Sequence, residues 1–416
     1  MARRMRFLLC FLSLSLVAAE VSVEQVNKAL GVELFKDTNL WDDDASAVAT
    51  RLEWPLESET STDSSYRLYP KDTYRILDSR PYSCALLSDQ KTAASLSLMF
   101  ANKGDSVSLA AKDAKDKTKA KARDEQIKDF KKAILDDSKA IAAKLTELFG
   151  APVADKMGQG KGTSESVRRW DWNGHAFLLA APKDEYVALR ITSTKSADDG
   201  GRSKVTDAEL IARCKTRVER RPNGDVILKD VPMVNQGPKG YCAPATWERA
   251  MRYMGVPADM YVLAMAGQSG AGGGTSIAGI VNGAKDAVSR GGRKIETSSM
   301  KVDVSSVSKY IDRGSPIMWA MFSTKAYNDL ANGRTKERAD MKDPAAWKKA
   351  LAESRKGQKP LQPNRNEGHV CMIIGYNKET GEVAVSDSWG PEFEERWILG
   401  VEANQVSQGT VMVIGI

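Results

Sequence analysis

Apolar residues recur along this chain at two different spacings. Ile127, Phe130, Ile134, Ile141, Leu145 and Leu148 follow one another at intervals of three, four and seven, which sets a single apolar stripe on a helix, and Gly150 with Pro152 supplies its stop. Leu96, Leu98 and Phe100 instead alternate with smaller or more polar residues after the turn-like Asp89-Gln90-Lys91, so a hairpin is predicted from about Tyr82 to Ala101. Asn173-Gly174 marks a tight turn between Arg168–Trp172 and His175–Leu179, and a further strand covers Tyr186 to Thr192. A helix packed on an antiparallel sheet buries all these faces, so residues 20–225 read as an N-terminal α+β domain of unassigned role.

The charged stretch Glu219–Asp225, with Pro222 and an Asn-Gly pair, reads as a turn or linker into a second domain, residues 226–416. Its opening helix is predicted from about Ala243 to Met254: Trp247, Met251 and Met254 form an inward stripe, Pro244 is tolerated in the first turn, and Gly255 ends it. Farther on, the apolar run Val370–Tyr376 and the run Glu382–Ser388 are strands joined by Asn377-Lys378-Glu379-Thr380-Gly381. The segment Thr324–Gly368 is polar and partly helical, an insertion placed to flank a cleft. Gly267–Gly274 is glycine-rich, but no Lys-Ser or Lys-Thr follows it, so it reads as a loop bordering a cleft and not as a phosphate-binding loop.

Composition changes this picture little. The chain has 416 residues, 42% of them hydrophobic and 28% charged, which suits two ordinary globular domains. The first nineteen residues differ: Met1–Arg6 is basic, Phe7–Leu16 is an apolar core too short to span a bilayer, and Val17-Ala18-Ala19 offers small residues for cleavage. They read as a signal peptide, with a secreted, periplasmic or cell-envelope destination and no stable membrane insertion afterwards. Loss of Arg3, Arg4 and Arg6 takes the net charge from +7 to +4, too slight an excess to indicate a nucleic-acid partner. The Lys and Asp run from Lys112 to Lys132 mixes its signs, as a solvated helix or connector does. Four cysteines follow the signal: Cys84 and Cys214 are candidates for one structural bridge, and a Cys242–Cys371 pair is the inactive alternative. With two histidines and no Cys-x-x-Cys, neither a zinc site nor any other metal or cofactor is expected.

The candidate chemistry lies in the second domain. Cys242 stands where the amphipathic helix begins, and a thiol there sits beside unpaired N–H groups and the positive end of the helix dipole, both of which favour thiolate. Gln236, six positions earlier, offers a side-chain amide to an oxyanion. A thiol nucleophile needs a base, and the histidines are His175, at a strand start in the other domain, where it reads as exposed or packing, and His369, at the start of the Val370–Tyr376 strand. If a five-residue loop makes Tyr376 face Glu382, Cys371 pairs with Asp387 and His369 with Trp389. His369 and Asp387 are then diagonal neighbours on one face, with Trp389 placed to shield them. A four-residue loop flips that parity.

Asn235-Gln236-Gly237 followed by Gly240-Tyr241-Cys242 resembles the oxyanion glutamine and nucleophile of the papain-like cysteine peptidases. The run Gly240-Tyr241-Cys242-Ala243-Pro244-Ala245 is more similar to the bacterial C39-like branch, in which glycine usually stands where this chain has Ala243. Asp387-Ser388-Trp389-Gly390 resembles the papain-family Asn-Ser-Trp-Gly motif with aspartate in place of asparagine, as in C39-like relatives, and Gly368-His369 resembles the histidine strand. The resemblance covers the C-terminal domain alone. It implies a papain-like fold, with the nucleophile's helix packed on an antiparallel sheet, and a cysteine peptidase acting on a peptide or protein through Cys242, His369, Asp387 and Gln236. A non-catalytic module of this fold, or an amidase or acyltransferase with the same triad, are the alternatives.

Overall fold

The computed structural model describes residues 21–108, 116–201 and 205–416, so the expected signal peptide at 1–19 lies outside the described residues. The first domain opens with α1 (Val23–Leu30) and α2 (Ala45–Leu52), then β1 (Leu56–Glu59), β2 (Ser64–Leu68), β3 (Ser83–Asp89) and β4 (Thr92–Asn102). A single helical turn, α3 (Lys103–Ser106), leads toward the long α4 (Lys117–Phe149), followed by β5 (Val153–Met157), β6 (Glu165–Trp172), β7 (His175–Ala180), β8 (Tyr186–Ser193) and α5 (Thr194–Asp198). The strands form one antiparallel sheet in the order β1-β2-β3-β4-β8-β7-β6-β5. Leu96, Leu98 and Phe100 turn one face toward Phe130, Ile134, Ile141 and Leu145 of α4, which matches the two spacings in the sequence. Asn173 and Gly174 take positive φ values of 43° and 78°, the left-handed pair of a tight hairpin. The charged run resolves, over its described part, into the first half of α4.

The opposite face of this sheet is also buried, because the second domain covers it. Met99, Ala176, Leu178, Ala180, Tyr186 and Ala188 share a core with Val234, Ala245, Met260, Tyr261 and Ala264. His175 belongs to the first face: it is fully buried among Phe35, Trp41 and Trp172, with Nε2 3.1 Å from the Thr38 carbonyl. It is a packing residue.

The second domain comprises α6 (Asp207–Thr216), β9 (Val218–Arg220), β10 (Asp225–Leu228), α7 (Cys242–Tyr253), α8 (Met260–Ala266), α9 (Ile277–Arg290), β11 (Lys294–Ser299), α10 (Val304–Ile311) and β12 (Ile317–Phe322). It continues with α11 (Lys325–Glu337), α12 (Pro344–Ser354), β13 (Gly368–Asn377), β14 (Glu382–Ser386), β15 (Arg396–Leu399), α13 (Gly400–Val406) and β16 (Ser407–Gly415). The antiparallel sheet runs β11-β16-β12-β13-β10-β9, with β14 and then β15 on the other edge of β13. The architecture is therefore α+β throughout, with the helix that starts at Cys242 packed on an antiparallel sheet and a separate α+β region before it.

Two details differ from the sequence reading. Of the two readings of Pro222-Asn223-Gly224, turn or linker, the structure has the turn, between β9 and β10 with Gly224 at φ +82°, and Leu210 and Cys214 of α6 already pack into the second core. The change from one core to the other thus falls before α6, ahead of a break at 225. A local Asn-Gly signal looks the same in a hairpin and a linker. Among the described residues the four cysteines are free thiols: Cys84 lies in the first core and Cys214 in the second, which keeps them from pairing.

Helix α7 is buried almost all round, not along one stripe, since Trp247 and Met251 face the second core while Ala245 faces the first domain. This traps Glu248, whose Oε2 accepts the Met260 N–H at 2.7 Å and whose Oε1 lies 3.3 Å from Arg252. Burial pushes its carboxyl up to about 7 against the pull of Arg252 and Arg67. The folded chain holds that proton more tightly than the unfolded chain, so stability falls as pH rises from the ordinary carboxyl range through about 7. Glu248→Gln should therefore gain roughly 2–3 kcal/mol over the parent chain at pH 8 and nothing near pH 4, read as the separation of urea unfolding curves.

Candidate active site

The thiol is set by a turn that the helix does not cap for itself. Tyr241 precedes α7 without donating or accepting a side-chain cap bond, so the first N–H groups of the helix remain available beside Cys242. Cys242 is partly open to solvent between buried Tyr241 and Ala243. Upstream, Gln236 is tied to the far side of the site by its N–H, which donates to the Ser388 carbonyl at 2.8 Å. Its Nε2 donates to the Lys239 carbonyl at 2.8 Å, which fixes the plane of the amide. Gly267–Gly274 lies alongside: Gly240 and Gly273 form a parallel bridge, and Gly274 N–H donates to Gly240 O at 3.0 Å. At Gly273, with φ +96°, a Cβ would sit 2.5 Å from the Gly240 Cα, so only glycine permits this approach.

The histidine and carboxylate come from β13 and the end of β14. Asn377 pairs with Glu382, so the connecting loop has four residues, not the five supposed, a change that by itself turns His369 and Asp387 to opposite parity. A β-bulge reverses the change. Gly375 pairs with Ala384 but Ile373 with Val385, leaving Ile374 as an extra residue, and beyond it Met372 pairs with Ser386. Continued, that register sets Cys371 opposite Asp387 and His369 opposite Trp389. His369 Nε2 lies 2.7 Å from Asp387 Oδ1, and the Trp389 ring stands 4.9 Å from the imidazole at 34°.

The imidazole touches both neighbours. With Nε2 engaged by Asp387, Nδ1 is the ring nitrogen left for the Cys242 thiol, whose titration His369 controls. Burial alone raises that thiol, but the charge and hydrogen bond of His369, with the N–H groups of Val370 and Ala243, take it below its ordinary range. Burial likewise lowers His369, and the Cys242 thiolate together with Asp387 overturns this and pushes it up to about 10. Burial raises Asp387, while His369 and Arg396 bring it below its usual value. These shifts all run in the direction of a thiolate and an imidazolium beside an ionised carboxylate.

The structure thus brings Cys242, His369, Asp387 and Gln236 into one locus and leaves His175 outside it. It also adds residues that the sequence did not single out. Arg396, on β15, reaches Asp387 Oδ2 through Nε at 3.2 Å and through Nη2. Its Nη1 donates to Asn328 Oδ1 at 3.1 Å and Asn332 Oδ1 at 3.0 Å, and its guanidinium lies 5.2 Å from the centre of the Trp389 ring. Asn328 and Asn332 belong to α11, so part of the Thr324–Gly368 segment supports the site from behind. Arg249, fully buried on α7, donates to the Pro232 and Ser386 carbonyls and to Ser386 Oγ. An arginine in a strand or helix has no sequence signature of such a role.

A fold of this class, with a thiol at a buried helix start and a His–Asp pair on the facing sheet, is that of papain-like cysteine peptidases. Residues 228–405 match the model of the Peptidase_C39 like family, which supports a C39-like peptidase domain in the C-terminal part and suggests cysteine peptidase activity. Among solved structures, a double glycine motif protease from an AMS/PCAT transporter, in complex with the leader peptide, is similar at 11% identity and a TM-score of 0.27, over 45% of this chain and 91% of that one. No curated protein matches the chain. Among the described residues no helix is long and apolar enough to cross a membrane.

If Asp387 sustains the imidazolium, Asp387→Asn should weaken it and let the Cys242 thiol rise. The low-pH limb of iodoacetamide alkylation of Cys242 is then expected to move up by about one pH unit or more; an unmoved limb would show that Asp387 does not control the thiol.

Proposed function

We propose that this protein is a secreted thiol peptidase that hydrolyses peptide bonds through Cys242, His369 and Asp387, with Gln236 in the oxyanion hole. The observation that carries this reading is the position of His369, whose Nε2 lies 2.7 Å from the Asp387 carboxylate while its charge lowers the Cys242 thiol. The Cys242 thiolate attacks a substrate carbonyl carbon, and the negative charge passes to the carbonyl oxygen. The Cys242 backbone N–H, free at the helix start, and the second N–H of the Gln236 amide receive that charge. As the C–N bond breaks, the imidazolium gives its proton to the leaving amine. Neutral His369 then takes a proton from water, which attacks the thioester and releases the acid and the thiolate.

Asp387 keeps the imidazole in the tautomer that faces Cys242, and the Trp389 ring covers the His–Asp bond from solvent. The partly open sulfur gives a carbonyl access. The secreted destination rests on the basic, apolar and small-residue pattern of residues 1–19.

Cleavage of a peptide library by the full chain tests the reading. Cys242→Ala should abolish turnover, and Gln236→Ala should lower it about 10²-fold to 10³-fold while leaving a measurable rate. Undiminished cleavage by Cys242→Ala would remove the assignment.

A further inference from the structure

The turn that carries Gln236 into Cys242 is held from the other domain as firmly as from its own. Lys239, between the two, is 4% exposed. Its Nζ lies 2.9 Å from Asp105 Oδ1 of α3. The ammonium faces a cage of rings, 4.6 Å from the centre of Tyr69, 5.3 Å from Tyr261 and 5.9 Å from Tyr241. The rest of the turn is pinned by the same domain. The Tyr69 hydroxyl donates to the Asn235 carbonyl, Asn235 N–H donates to Glu57 Oε1 at 2.7 Å, and the Tyr241 hydroxyl donates to Asn102 Oδ1 at 3.1 Å.

A buried lysine and a buried aspartate are each costly alone, and burial pushes Asp105 up and Lys239 down against their mutual attraction. Such a pair is poor glue, so its use must lie in what it holds in register. The Lys239 carbonyl accepts both Gln236 Nε2, at 2.8 Å, and the Tyr241 N–H, at 2.9 Å. The side chain of Lys239 is therefore anchored in one domain while its backbone orients the amide and the helix start in the other.

We propose that Lys239 and Asp105 are positioning residues that make the N-terminal domain a permanent part of the active site, holding the Gln236 amide toward the reacting carbonyl. This rests on the acyl-transfer reading above. The domain is not a detachable prosegment: its sheet shares a continuous core with α7 and α8 through Met99, Leu178 and Tyr186 against Ala245, Met260 and Tyr261, while Cys242 remains partly open.

The test uses the full chain with Asp105→Asn, with Lys239→Met/Asp105→Leu, which removes both charges and leaves no orphan, and each in a Gln236→Ala background. Three readouts are p-nitrophenyl acetate hydrolysis, iodoacetamide alkylation of Cys242, and amide hydrogen exchange of residues 235–241. Ester turnover should fall about tenfold to hundredfold and the turn should exchange faster, with alkylation changed by less than about twofold. In the Gln236→Ala background the same substitutions should cost less than about twofold, since the residue they act through is gone. Unchanged turnover and exchange, or losses that add fully to that of Gln236→Ala, would overturn the proposal. A parent chain that is alkylated at Cys242 but hydrolyses no ester would count against acyl transfer; the exchange measurement judges the clamp independently of it.

Discussion

Asp387 is a fully desolvated carboxylate, 1% exposed, and much of the second domain is arranged so that this charge is tolerable. An unpaired carboxylate in such a place would take up a proton and cease to hold an imidazolium. Here each oxygen has its own cation, Oδ1 facing His369 and Oδ2 facing Arg396. Arg396 is in turn fixed by two asparagines of α11, and the strand end behind Asp387 is fixed by Arg249 of the nucleophile's own helix, through Ser386. The carboxylate, the base and the thiol are thus tied into a single polar network threaded through an apolar core. Its members support one another: His369 lowers the Cys242 thiol, Cys242 and Asp387 raise His369, and His369 and Arg396 lower Asp387.

The second organising constraint is that α7 is shared. Trp247 and Met251 belong to the core of the second domain, while Ala245 lies in the core between the domains. A helix buried on all sides cannot tilt to suit a substrate, so the thiol at its first residue inherits a fixed position. The cost shows at Glu248 and Arg249, ionisable residues buried with it. Burial takes Arg249 down to about 10 and Glu248 up to about 7.

Much of this was legible in the sequence because the signals were local and periodic. The hairpin at Asn173-Gly174, the stripe of α4 and the start of α7 follow from spacing and turn chemistry alone. The candidate site was legible as four residues, since Gln236 and Cys242 are close in sequence and His369 and Asp387 lie on adjoining strands. What stayed hidden depends on tertiary pairing. Arg396 reads as a polar residue before Trp397 and Lys239 as an ordinary turn lysine, because each is defined by a partner far along the chain. Nor does the sequence mark Ile374 as a bulge: it sits in an unbroken apolar run where any residue fits a regular strand.

That bulge separates two kinds of length in the hairpin. Between Ile374 and the turn, the strands follow one register; between Ile374 and His369 they follow another, and the second aligns the imidazole with its carboxylate. The site is therefore set by the turn and the bulge together, and a change of one residue in either, uncompensated by the other, reverses the parity of His369 and Asp387. The turn is itself held, by Gly381 at φ +76° and by the Asn377 side chain accepting from the Glu379 and Thr380 N–H groups, so its length can change only if the bulge changes with it, while the five residues from His369 to Ile373 form a ruler that tolerates neither insertion nor loss.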